Sequence, residues 1–217
     1  MIELNLFQVK SDPLKVLCLG AHSDDIEIGC GGTILKFIRD YPTTEFHWVV
    51  FSSDETRKKE AEISSRAFLA GSASSTVTIK HFRDGYFPYI GAELKEDFEG
   101  IKREFTPDVI LTHYRNDLHQ DHRLVSDLTW NTFRDQMILE YEIPKYDGDL
   151  GAPNLFVCLD EFDCNRKVKS IMTFFASQAQ NHWFTEDTLL SILRLRGIES
   201  NAPGRYAEAF YCRKLLF

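Results

Sequence analysis

The sequence predicts an α/β fold, a Rossmann-like, mostly parallel sheet flanked by helices. Three observations point to it. Short apolar runs alternate with amphipathic stretches from one end of the chain to the other, the pattern of successive β-α-β units. The apolar runs are short, where buried parallel strands are expected. Two clusters of His and Asp each follow such a run and open a helix, the place where open parallel sheets bind ligands.

The elements follow in order. Residues 15–20, between Pro13 and Gly20, form a buried strand. Residues 32–41 carry Ile34, Leu35, Phe37 and Ile38 at helical spacing and stop at Pro42. A strand over 46–52 precedes a Glu-, Lys- and Ala-rich helix over 54–70, stopped by Gly71. Residues 76–82 alternate as a strand, and 93–105 are helical until Thr106-Pro107. A strand over 108–113 leads into a helix over 122–139, with Leu124, Val125, Leu128 and Phe133 on one side. A strand over 154–159, helices over 165–178 and 185–196, and a last, edge-type strand over 206–217 complete the series. The crossovers are expected to be right-handed. The stretches 84–92 and 141–153, rich in Gly and Pro, read as loops. The second is long enough to be either a lid or a plain surface connection.

At 217 residues the chain suits one domain spanning 1–217. Thirty-three acids against twenty-five bases give a net charge of −8. This argues against nucleic acid as a partner, because phosphate contacts need a basic face. No apolar run approaches the roughly 18 residues of a membrane span. The first twelve residues, with Glu3, Lys10 and Asp12, do not read as a signal peptide. The five cysteines are odd in number and not closely paired. Cys18, Cys158 and Cys212 fall in apolar stretches expected to be buried strands. Reduced core thiols in a cytoplasmic protein are the expectation, with a homo-oligomer compatible with the sequence.

The first chemical cluster is Gly20-Ala21-His22-Ser23-Asp24-Asp25-Ile26-Glu27-Ile28-Gly29-Cys30-Gly31-Gly32-Thr33. One His and three carboxylates within six positions are more than a solvated turn needs. Imidazole with carboxylate is the donor set of zinc and other borderline metals. The glycines are expected to permit tight backbone turns beside such a site. A dinucleotide fingerprint fails: no G-x-G-x-x-G follows the strand, and acids would repel a pyrophosphate. The second cluster, Asn116-Asp117-Leu118-His119-Gln120-Asp121-His122-Arg123, follows the strand over 108–113 and opens a helix. Taken alone, a single His of the second cluster reads as a surface or cap residue. Together the two clusters suggest a metal site with an open position, as in catalytic zinc.

These residues resemble the LmbE-like (PIG-L) deacetylases, whose motifs are A-H-P-D-D-x-E-x-G-C-G-G-T and H-P-D-H. Weaker echoes are Arg57-Lys58-Lys59-Glu60, Ser177-Gln178 and Tyr206-Ala207-Glu208-Ala209-Phe210. The resemblance implies a single LmbE-like domain and a zinc-dependent hydrolase. Its expected reaction removes acetate from a small N-acetylated amino sugar or its conjugate. Position by position, His22, Asp25 and His122 correspond to the ligands of Zn2+, with Fe2+ or another divalent ion as the alternative metal. Asp24 corresponds to the general base. His119 corresponds to the group that stabilises the oxyanion or protonates the leaving amine, and Asp121 to the support of one of these histidines. Ser23 and Gln120 stand where the family has Pro, and Asp117 where some relatives have Tyr. A glycan-binding module without turnover and a hydrolase of another amide are the rival readings. The presence of both Asp24 and His119 speaks against the first.

Arg57 could contact substrate or be an exposed helix residue. His113 reads as a satisfied, half-buried side chain, and His47, His81 and His182 as structural. Phe174, Phe175, Trp183 and Phe184 could wall a sugar ring, with core packing the default.

Overall fold

The computed structural model describes residues 13–215. The expectation about residues 1–12, and the last two residues of the strand expected over 206–217, lie outside them. The elements are β1 (Lys15–Gly20), α1 (Asp25–Asp40), β2 (Glu45–Val50), α2 (Glu55–Phe68), β3 (Ser74–Ile79), α3 (Gly91–Glu104), β4 (Val109–His113), α4 (Gln120–Thr132), β5 (Met137–Tyr141), β6 (Leu155–Leu159), α5 (Glu161–Phe174), α6 (Glu186–Glu199) and β7 (Tyr206–Cys212). Short 3-10 turns lie at Phe87–Ile90 and Ala176–Gln178.

Among the described residues the strands form one sheet in the order β3-β2-β1-β4-β5-β7-β6. The first five are parallel, and β7 runs antiparallel to both β5 and β6. From β1 the chain winds outward through β2 to β3, then crosses back to lay β4 on the other side of β1. The carboxyl ends of β1 and β4 are therefore neighbours at the point where the winding reverses, and a crevice forms there.

Residues alternate between the two faces along β1. Val16 and Cys18 join a core with Ile34, Phe68, Val168 and Leu193, from α1, α2, α5 and α6. Leu17 and Leu19 join a second core with Phe98 and Val125, from α3 and α4. Helix starts are marked locally. Asp54, Asp160 and Thr185 each accept a backbone N–H of the first turn that follows, satisfying donors the helix cannot.

The structure corrects four expectations. The helix expected over 32–41 begins at Asp25, because the glycine-rich segment packs as helix rather than turn. The helix expected over 122–139 ends at Thr132, and a strand, β5, follows within five residues. The last strand is interior, between β5 and β6. Cys158 is exposed and Cys212 only partly covered.

The missed strand, β5, contains Glu140, a charge that reads against burial. Its carboxylate is fully buried, but it accepts the Trp130 Nε1–H at 2.7 Å, the Arg115 N–H at 3.0 Å and the Arg213 guanidinium at 2.6 and 3.0 Å. Such pairing is what makes a buried charge tolerable.

Candidate metal and catalytic site

The turn after β1 supplies His22, Ser23 and Asp24, and the first residue of α1 is Asp25. The loop after β4 supplies Asp117 and His119, and the first turn of α4 supplies Asp121 and His122. A third loop, after β3, brings Asp84. The two sequence clusters, nearly a hundred residues apart, thus converge.

His22 Nδ1 lies 3.2 Å from His122 Nε2 and 3.4 Å from Asp25 Oδ2, and His122 Nε2 lies 3.6 Å from Asp25 Oδ1. Donors held at about 2.0–2.1 Å in a tetrahedral arrangement stand about 3.3 Å apart, so this spacing suits a small divalent ion. Donor groupings within 4.8 Å are His22 with His119 and His122, Asp25 with His113 and His122, and His22 with Asp84 and Asp121. All share His22 or His122. The adjacent aspartates part company at the start of α1: Asp25 faces the histidines, whereas Asp24 Oδ1 accepts from Arg57 Nη2 at 3.1 Å.

The charges around His22 fit a cation. Its Nε2 is 3.0 Å from Asp84 Oδ1 and 3.3 Å from Asp121 Oδ2. Burial would lower its pKa, but hydrogen bonds to Asp121, Asp25 and Asp84 outweigh burial and hold it well above the ordinary histidine value. Positive charge is thus favoured at this point. His122 is the opposite case. Burial, reinforced by the neighbouring His113, pulls it down to about 4. Its Nδ1–H donates to Asp117 Oδ2 at 3.0 Å, which leaves Nε2 with a lone pair toward His22 and Asp25, as a ligating imidazole requires.

Burial alone would push Asp25 up, but His122 and His113 beside it take it well below the usual carboxylate range. Burial raises Asp24, with Arg57 opposing. His119 caps α4, its Nδ1 accepting the Asp121 N–H at 3.3 Å. Burial, with the charge on His22, lowers its pKa. The neutral imidazole therefore carries its proton on Nε2. Asp121 supports His22 rather than His119, and it also takes the N–H groups of Gly85 at 2.7 Å and Phe87 at 3.1 Å. Glu27 is fully buried with no hydrogen-bond partner for its carboxyl, and burial pushes its pKa well up.

Arg57, expected to touch substrate or to be an exposed helix residue, is partly buried and donates to Asp24 at 3.1 Å and to Asp84 at 3.5 Å. His113 is not half-buried but fully buried. Its ring stacks on His122 at 4.0 Å, and its Nε2 accepts the Ala21 N–H at 2.9 Å and lies 3.2 Å from Asp25 Oδ2. The sequence reading missed His113, Asp84 and Lys145 as site residues and gave Asp117 no role. His113 had a signal, since it ends the strand that delivers the second cluster. Asp84 and Lys145 had none, because only loop packing brings them in. Lys145 Nζ binds Asp117 Oδ2 at 2.9 Å and also pairs with Asp149, whose Oδ2 accepts the Leu118 N–H at 2.7 Å. The stretch 141–153 is therefore tied to the site. Gln120, where the family has Pro, donates to the Gly85 carbonyl. Phe175 and Phe184 pack in the core, with Phe174 and Trp183 against it.

The glycines serve close approach, not turns. Gly29, Gly31 and Gly32 all have negative φ. A Cβ on Gly29 would fall 2.1 Å from the Tyr141 ring, one on Gly31 2.7 Å from Phe68, and one on Gly32 2.4 Å from Leu159.

Residues 17–133 match the family described as PIG-L, GlcNAc-PI de-N-acetylase. Solved structures share the fold. N,N'-diacetylchitobiose deacetylase from Pyrococcus horikoshii is 24% identical with a TM-score of 0.70, over 92% of this chain and 83% of that one. The zinc-inhibited form of teicoplanin deacetylase is 14% identical with a TM-score of 0.71, over 91% and 97%. A 4-carboxy-2-hydroxymuconate hydratase from Pseudomonas putida KT2440 is 16% identical with a TM-score of 0.75, over 94% and 98%. Among the described residues no helix is long and apolar enough to cross a membrane.

Proposed function

The chain belongs to the PIG-L family, and from that premise we propose that it is a metal-dependent N-deacetylase acting on the acetamide of a small N-acetylated amino sugar or its conjugate. The observation that carries the reading is that His22 Nδ1 and His122 Nε2 stand 3.2 Å apart with the Asp25 carboxylate against both, its Oδ2 3.4 Å from the first and its Oδ1 3.6 Å from the second, and with Asp24 beside them. Those three residues would hold the ion, zinc or another divalent metal. Once bound, it would supply Lewis-acid polarisation of the carbonyl and acidify an attacking water.

The protein's own groups account for the remaining chemistry. Asp24, raised by burial and oriented through Oδ1 by Arg57, takes the proton of the water as its oxygen adds to the acetamide carbon. His119 directs Nε2–H at the developing oxyanion, because its Nδ1 is engaged by the α4 backbone. The carbon–nitrogen bond then breaks, and the proton held by Asp24 passes to the departing nitrogen. The products are acetate and a free amine. His119, lowered by burial, acts here as a hydrogen-bond donor more than as a proton reservoir.

The same fold carries a hydratase, so the fold alone does not choose the reaction. The family match and the site residues favour amide hydrolysis. The test is acetate release from a panel of N-acetylated sugars, free, nucleotide-linked and lipid-linked, alongside metal analysis of the purified protein. Metal near one equivalent with acetate from at least one substrate supports the reading. Metal without acetate from any of them leaves a binding module or a different hydrolase.

A further inference from the structure

α1 is broken at Cys30, whose φ of −146° and ψ of 16° lie far from the helical −63° and −42°. A break leaves backbone acceptors on one side and donors on the other, each needing a partner. In an unbroken helix Gly32 N–H would bond the Ile28 carbonyl, and Thr33 N–H the Gly29 carbonyl. Here a buried ion pair meets both edges. Lys167 Nζ, from α5, donates to the Ile28 carbonyl at 2.7 Å and to Glu208 Oε1 at 2.6 Å. Glu208, on β7, accepts Gly32 N–H at 2.8 Å, and Thr33 N–H and Oγ1–H at 2.6 Å each. Lys167 is 1% exposed and Glu208 3%. The cation faces the carbonyl end of the first segment and the carboxylate the amide end of the second, the arrangement each helix dipole favours.

The first segment begins with Asp25. Its tilt decides where that carboxylate points, and the break sets the tilt. We propose that Lys167 and Glu208 are positioning residues. By splicing the broken α1, they would hold its first turn at the angle that brings Asp25 against His22 and His122. The inference rests on the metal reading above. It extends the site to α5 and β7, elements that contribute no ligand.

The test uses cobalt(II) alone as the probe, with affinity from chelator competition and coordination from the visible spectrum. Replacing a buried pair by apolar residues of similar volume often leaves stability intact. It would also free Gly32 N–H to rejoin the Ile28 carbonyl and straighten α1. The double variant Lys167→Met/Glu208→Met is expected to fold, to bind cobalt about 10–100-fold more weakly, the usual range for supporting residues, and to show a changed spectrum. Lys167→Gln/Glu208→Gln keeps a donor for Ile28 and an acceptor for Gly32 without charge, and should recover most of the affinity. Wild-type binding and spectrum in the Met pair overturn the proposal, as does a Gln pair no better than the Met pair. Should the Met pair fail to fold, Glu208→Asp, which keeps the charge but draws the second segment closer, must shift the spectrum. An unshifted spectrum overturns the idea. A wild-type protein that takes up no cobalt sinks the metal reading itself, whereas equal binding by wild type and variants sinks this inference alone.

Discussion

Asp117 Oδ2 accepts the Nδ1–H of His122 at 3.0 Å, and this one contact fixes which nitrogen of His122 faces Asp25 and His22. A carboxylate behind a ligating imidazole sets its tautomer and ring angle. Asp117→Ala is expected to weaken metal binding about 10–100-fold, measured by chelator competition. Unchanged affinity would mean that the stack on His113 holds the ring by itself.

Ligand and base should separate cleanly. His122→Ala, His22→Ala and Asp25→Ala are expected to lose the metal. Asp24→Asn should keep metal near the wild-type content and lower acetate release about 10²–10⁴-fold, the typical worth of a positioned general base. If Asp24→Asn strips the metal, the roles of the two aspartates are exchanged.

Asp121 couples His22 to the loop after β3, through Gly85 and Phe87 N–H. In Asp121→Ala both amides lose their acceptor. Their hydrogen exchange should quicken while core amides keep their protection, and activity should fall with it. Exchange rates at Gly85 and Phe87 matching wild type would show that the loop is held by other contacts.

Two glycines predict opposite mechanisms of damage. Gly29→Ala drives a methyl into the Tyr141 ring, whose hydroxyl is fixed on the Leu19 carbonyl at 2.6 Å. Overpacking should cost about 1–3 kcal/mol or more, a fall in Tm of about 2–4 °C per kcal/mol for a chain of this size. Gly85→Ala meets nothing within 4 Å, but its φ is +76°. There the cost is backbone strain, about 1–2 kcal/mol, and it falls on the loop that carries Asp84.

The buried pair of Arg196 and Glu142 anchors the stretch 141–153. Arg196 Nη2 also donates to the Gly151 carbonyl at 3.1 Å, and Glu142 accepts the Tyr211 hydroxyl at 2.7 Å. Arg196→Met leaves that carboxylate buried without its cation. A loss of about 3–5 kcal/mol is expected, read as a lower midpoint in denaturant. A loss under about 1 kcal/mol would mean that Tyr211 and the Gly151 N–H suffice for it.

The alternation of apolar runs and helical stretches determined the fold class, and the H-S-D-D-x-E-x-G-C-G-G-T and H-Q-D-H-R segments marked the candidate site residues. Both are local properties, carried by neighbours in the chain. What stayed hidden depends on partners far away. β5 was unreadable because Glu140 is made tolerable in a buried strand only by Trp130, Arg115 and Arg213. The start of α1 was unreadable because its glycines suit a turn until Tyr141, Phe68 and Leu159 are seen to fill the space where side chains would stand. Asp84 and Lys145 reach the site only through loop packing. The sequence by itself determined the alternating α/β pattern and the donor types. The tertiary structure decided which donors meet, which nitrogen of each histidine faces inward, and how a broken helix is held. The first and last of these depend on distances between residues far apart in the chain, and the second on how a loop packs against the helix it opens, and no local pattern encodes such distances.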